Sequence, residues 1–144
     1  MDIAQTGLQH QPFHTDGDPV FFVPYRSQLA AYHFLQMILK DERGIGLFYG
    51  PDSAGKTCVV RELRRDMPAD IPVAVVDAAR LKTLDLLRAI MTQFDPGPSF
   101  ESIDDYWYAL RIFLAEKTRT ERTPLLILEN INRMYPSSLY TLSK

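Results

Sequence analysis

The chain has 144 residues, 46% hydrophobic and 24% charged, with a net charge of -2. This is the profile of a soluble globular domain long enough to bury a core, and it excludes overall disorder and a global electrostatic footprint for nucleic acid or anionic membrane. The lone Cys58 excludes an internal disulfide, no apolar run approaches the roughly 18 residues of a membrane span, and MDIAQTGLQHQ lacks the segments of a signal peptide, so a reducing cytoplasm is the expected compartment.

Residues 1–19, punctuated by Pro12, Gly17 and Pro19, read as an extended arm. His10 and His14 lie in it with Pro12 between them, which argues against a helical metal pair and leaves them solvated. Val20 to Val23 are apolar, and Pro24 ends any strand pairing there. Arg26 to Lys40 carry apolar residues at helical spacing, Leu29, Ala30, Phe34, Met37 and Ile38, with His33 beside them as a packed core residue. Ile45 to Tyr49 form a short apolar run between Gly44 and Gly50, which predicts a strand.

Gly50 to Thr57, GPDSAGKT, fit the phosphate-loop pattern G-x-x-x-x-G-K-[ST] at each fixed position. A helix is predicted directly after it, through CVVRELRRDM. The spacing has a chemical reason. Gly50 and Gly55 lack a Cβ, so the backbone of Gly50, Pro51, Asp52, Ser53, Ala54 and Gly55 can fold into a nest of N–H groups. The helix opening through Lys56, Thr57 and Cys58 adds its own unsatisfied N–H groups and positive dipole end. Lys56 is then the side chain for the β- and γ-phosphates, and the Thr57 hydroxyl a Mg2+ ligand. Cys58, at the start of that helix, reads as a small buried residue. Arg61, Arg64 and Arg65 read as a solvated face, not the basic lid a kinase needs.

Ile71 to Asp77, IPVAVVD, is short, β-branched and continuous, as expected of a parallel strand buried on both faces. Residues 81–94 have helical spacing through Leu81, Leu84, Leu86, Leu87, Ile90 and Met91 and stop before Asp95-Pro96-Gly97-Pro98. Ser102 and Asp105 form an approximate capping box, opening a helix with Trp107, Leu110, Phe113 and Leu114 in its stripe. Pro124 to Glu129, PLLILE, is another buried strand, and a last helix begins at Pro136. The alternation predicts a parallel α/β sheet with flanking helices. An apolar strand delivering Glu129 and Asn130 has the form of a Walker B strand, with Glu129 at the metal-side carboxylate position and Asn130 where a water-activating glutamate usually stands. An amide can orient water but is a poor proton acceptor near pH 7, so hydrolysis is expected to be slow or to need outside help, with Asp77 a candidate substitute base.

The order PF at 12–13, DPVFF at 18–22, an alanine-rich helix, GIGLFYGPDSAGKT, a helix with Arg61 and Leu63, then LKTLDLLRAI and LLILEN resembles the AAA+ ATPases of the ExeA/GspA type, the general-secretion-pathway protein A group. The resemblance implies a P-loop NTPase (AAA+/ASCE) domain over 20–144, Mg-ATP binding, homo-oligomerisation with ATP at subunit boundaries, and work on a protein partner such as an inner-membrane secretion or envelope complex. DNA is a partner that the charge does not support. By the same resemblance Phe22, Pro24 and Tyr25 help enclose the adenine. Such proteins typically carry Asp-Glu where this chain has Glu129-Asn130, and they continue to a further strand lying between the phosphate-loop strand and the Walker B strand. The expectation is therefore a domain incomplete at its C-terminus and poorly stable alone, acting as an ATP-switched module, with an active ATPase of secretion-, transposition- or cell-envelope-associated type, or a non-catalytic nucleotide-binding structural or regulatory protein, as the alternatives.

Overall fold

A computed structural model of the protein describes residues 24–41, 44–97, 99–119 and 123–143. The arm of 1–19 with His10 and His14, the apolar run of 20–23 and Phe22 lie outside the described residues. The chain falls into two compact units, Met1–Leu63 and Arg64–Lys144.

In the first unit, α1 runs Arg26–Lys40, as its apolar spacing predicts. Tyr25 is its extended N-cap, and the Tyr25 backbone N–H donates to Gln28 Oε1 at 3.0 Å, the glutamine half of a capping box. The helix presents a different side from the one expected: Leu29, Ala30, His33, Phe34 and Met37 are exposed, while Gln28, Ala31, Tyr32, Leu35, Ile38 and Leu39 are half-buried. His33 is thus not a core residue; its ring meets Tyr32 edge-on and its Nδ1 lies 3.4 Å from Gln36 Oε1. Apolar residues occupy two sides of α1, and a 3.6-residue period does not distinguish them. The choice is made by residues 44–46, which run so close to the helix that a Cβ on Gly44 or Gly46 would collide with the Ile38 side chain.

The strand expected over Ile45–Tyr49 is not formed; these residues are irregular, with Ile45 98% and Tyr49 84% exposed. A strand exists through its ladder, and the described residues contain a sheet of two strands, neither of them this segment. α2, Lys56–Arg65, follows the glycine loop directly and its last two residues open the second unit; Val59 and Leu63 are buried, and Arg61, Arg64 and Arg65 are exposed as predicted.

In the second unit, β1 (Val73–Asp77) and β2 (Leu125–Glu129) pair in parallel, from Val73 opposite Leu125 to Asp77 opposite Glu129. Proline lacks a donor, so Pro72 and Pro124 stand just before the strands, and the Leu125 N–H closes the ladder on the Pro72 carbonyl at 2.9 Å. Burial on both faces is not reached: β1 alternates, with Ala74 and Val76 buried, and β2 is half-buried throughout.

α3 (Thr83–Phe94) supplies Leu86, Leu87, Ile90 and Met91 to the core, and α4 (Ile103–Arg119) supplies Tyr106, Leu110 and Phe113. Each such aliphatic side chain contributes about 1.5–3 kcal/mol by leaving water. The α4 stripe centres on Tyr106 rather than Trp107, which is half-buried, while Leu114 is exposed. The Tyr106 ring is 2% exposed, and its hydroxyl accepts the Phe100 N–H at 3.1 Å and Arg88 Nε–H at 3.3 Å. The predicted cap of α4 forms: the Asp105 N–H donates to Ser102 Oγ at 3.1 Å and Ser102 Oγ donates to Asp105 Oδ2 at 2.7 Å. α5 (Pro136–Leu142) is fixed by the buried Ser138, whose hydroxyl donates to the Leu81 carbonyl at 3.0 Å. Among the described residues no helix is long and apolar enough to cross a membrane.

Candidate functional site

The glycine loop of the first unit carries two residues in left-handed backbone, Ser53 at φ 61° and Gly55 at φ 79°. An L side chain at Gly55 would meet both that strain and a neighbour, since its Cβ would collide with Gln28 Nε2. Pro51, Asp52, Ser53 and Gly50 are exposed, and Ala54 is half-buried. The Gly55 carbonyl accepts the Val59 N–H at 3.1 Å, so Gly55 stands at the opening of α2 and the first N–H groups of that helix have no helical partner.

Lys56 folds back along the loop, its Nζ donating to the carbonyls of Gly50 at 2.9 Å and Pro51 at 2.7 Å. These carbonyls hold an ammonium group over the loop's first residues, beside the first N–H groups of α2, which have no partner within the helix, and its positive end. That donor set suits a polyphosphate: backbone N–H groups and one cation. Thr57 is exposed, and Cys58 is a free thiol, half-buried rather than buried.

A residue from outside the motif joins the loop. Gln28 Nε2 donates to the Ala54 carbonyl at 2.9 Å, while its Oε1 holds Tyr25 N–H. The sequence signals only the second contact, a glutamine three residues after an N-cap; nothing in the spacing reveals the first. Tyr25 itself is 79% exposed.

In the second unit the in-register strands bring Asp77, Glu129 and Asn130 together at one edge of the sheet. The Ala78 N–H donates to the Glu129 carbonyl at 2.9 Å and the Arg80 N–H to the Arg133 carbonyl at 3.0 Å, stitching together the turns after β1 and β2. Asn130 is left-handed, φ 56° and ψ 34°, and its Nδ2 donates to Asp77 Oδ1 at 3.0 Å. The same Asp77 oxygen accepts the Ala79 N–H at 3.0 Å. The Asn130 amide first, and the Ala79 N–H second, hold the Asp77 carboxyl below its ordinary value of 3.8, assisted by the charge of Arg133. Glu129 is half-buried at the strand end, while Asp77 and Asn130 are exposed. Among the described residues no three His, Cys, Asp or Glu side chains gather into a group able to hold a metal.

Searches of curated proteins and of solved structures give no match to this chain. A family model described as AAA domain matches residues 36–144, a span that holds the glycine loop and both strands. The chain therefore belongs to the AAA domain family, with the α/β fold of an AAA-type P-loop ATPase.

Proposed function

We propose that the chain is an ATP-binding AAA+ module that switches or assembles on a partner complex and turns ATP over slowly. In this reading Gly50 to Thr57, with Cys58 in the first turn of α2, hold the nucleotide. The nest of N–H groups and Lys56 would take the phosphates, and by their motif positions in the sequence Thr57 and Glu129 would be the protein ligands of Mg2+. Bound Mg-ATP supplies the anhydride whose presence or loss the protein converts into two states.

The observation that carries slow turnover is the Asn130–Asp77 hydrogen bond. Where a glutamate would accept a proton from water, this chain has an amide, whose oxygen orients water without taking its proton. The Asn130 amide and the Ala79 N–H both engage Asp77 Oδ1 and hold its carboxyl below its ordinary value, which supports reading Asp77 as a hydrogen-bonded partner of Asn130 rather than a substitute base. The PF and DPVFF elements support a general-secretion-pathway protein A type within the AAA domain family, acting in the cytoplasm as a homo-oligomer on an inner-membrane secretion or envelope complex.

Steady-state phosphate release from Mg-ATP, on the parent chain and on Asn130→Glu, tests the reading. It expects tight binding with negligible release by the parent and a rise of about a hundredfold in the variant, the range of one general base. Rapid turnover by the parent chain, abolished by Lys56→Ala, would overturn the slow-switch reading and leave an active ATPase.

A further inference from the structure

We infer that Gln28 is a positioning residue of the phosphate loop, fixing the peptide between Ala54 and Gly55 in the orientation that presents the Gly55 N–H to a phosphate. The inference rests on the triphosphate reading of that loop and adds to it a residue outside the motif.

A trans peptide is planar, with its carbonyl and N–H pointing to opposite sides. Gln28 Nε2 takes the Ala54 carbonyl at 2.9 Å, so the Gly55 N–H of the same peptide is turned away from Gln28. The amide is itself anchored at its other end, since Gln28 Oε1 accepts the Tyr25 N–H at 3.0 Å. One planar group thus spans the N-cap of α1 and the turn of the loop, and its donor and acceptor ends cannot be exchanged without losing both bonds. Gly55 completes the fit: at φ 79° it needs glycine for its backbone, and the space its missing Cβ leaves is filled by Gln28 Nε2. Without that bond the peptide is free to flip, and a flipped peptide would aim a carbonyl where a phosphate needs a donor.

The test uses the full chain with Gln28→Glu and Gln28→Met, of nearly the same length. Glutamate keeps the acceptor for Tyr25 but sets a carboxylate against the Ala54 carbonyl; methionine keeps the volume and removes both bonds. Two probes are titrated, Mg-ATP and inorganic tripolyphosphate with Mg2+, and the Gly55 amide resonance is recorded in the ligand-free proteins. Gln28→Met should weaken both probes by the same factor, roughly three- to tenfold for one neutral hydrogen bond. Gln28→Glu should weaken them by about tenfold or more, because it leaves an unpaired carbonyl facing a charge. The Gly55 resonance should move in both variants before any ligand is added, with the thermal midpoint of Gln28→Met within a few degrees of the parent's. Unchanged binding, or a Gly55 resonance that does not move, overturns the inference. So does weakening confined to Mg-ATP, which would assign Gln28 to the nucleoside. A parent chain that binds neither probe would remove the triphosphate reading itself, and the inference with it.

Discussion

Asn130→Asp replaces the donor in the Asn130–Asp77 bond by a second carboxylate and leaves the backbone nearly unchanged, because Asp tolerates the left-handed conformation of Asn130 as Asn does. Two unit charges at the 3.0 Å of the present contact repel by about 1.4 kcal/mol in water. The lost bond, made on an exposed surface, adds roughly 0.2–1 kcal/mol. The sum at pH 7 is about 1.5–2.5 kcal/mol, or roughly 5–10 °C in thermal midpoint for a chain of this size. The pH dependence reverses sign. In the parent, Asp77 titrates below 3.8, so its bond stabilises the fold above that value and is lost as pH falls through the lower folded value. In the variant, one of two adjacent carboxylates titrates above its ordinary value, so the penalty is full at pH 7 and shrinks as pH falls towards about 4. Thermal melts of both proteins between pH 4 and 7, followed by circular dichroism, read this directly. A gap between the two melting curves that stays constant over that range would refute the assigned contact.

Tyr106→Phe leaves the Phe100 N–H without its acceptor beneath a ring that is 2% exposed, and should cost about 1–3 kcal/mol, read as a lower urea midpoint at unchanged slope. Ser102→Ala removes the cap of α4 and should cost about 0.5–2 kcal/mol, whereas Ser99→Ala, at an exposed site with no capping role, serves as the near-neutral control. Gly55→Ala forces a side chain into left-handed backbone and against Gln28, so stability should fall by about 1–3 kcal/mol and tripolyphosphate binding with it; an alanine variant that binds as the parent does would contradict the loop geometry.

The helices were legible because their signals are local. Arg26–Lys40 begins after Pro24 and the extended Tyr25 and carries apolar spacing throughout, and the Ser102–Asp105 pair announces the start of α4. The side of a helix that is covered is decided elsewhere in the chain, which is why α1 turns Leu35 and Ile38, not His33 and Phe34, towards residues 44–46. Strands are legible only as far as their partners exist: VAVVD and LLILE pair with each other, while Ile45–Tyr49, equally apolar, has no ladder among the described residues. At the candidate site, the glycines and Lys56 stand out from spacing alone, because the phosphate-loop pattern places residue types at fixed intervals. Gln28 lies 26 positions before its loop partner Ala54, and Asp77 lies 53 before Asn130. Contacts at such separations leave no periodic trace and are visible only in the fold.

The central claim, that Gly50 to Thr57 hold a nucleoside triphosphate, is tested most directly by equilibrium titration of Mg-ATP into the parent chain and into Lys56→Ala. The parent should bind with saturable affinity, and the variant, lacking the ammonium that the Gly50 and Pro51 carbonyls hold over the loop, should lose at least 1.5–3 kcal/mol, roughly tenfold to more than a hundredfold in Kd. Equal binding by the two folded proteins, or none by the folded parent, would contradict it.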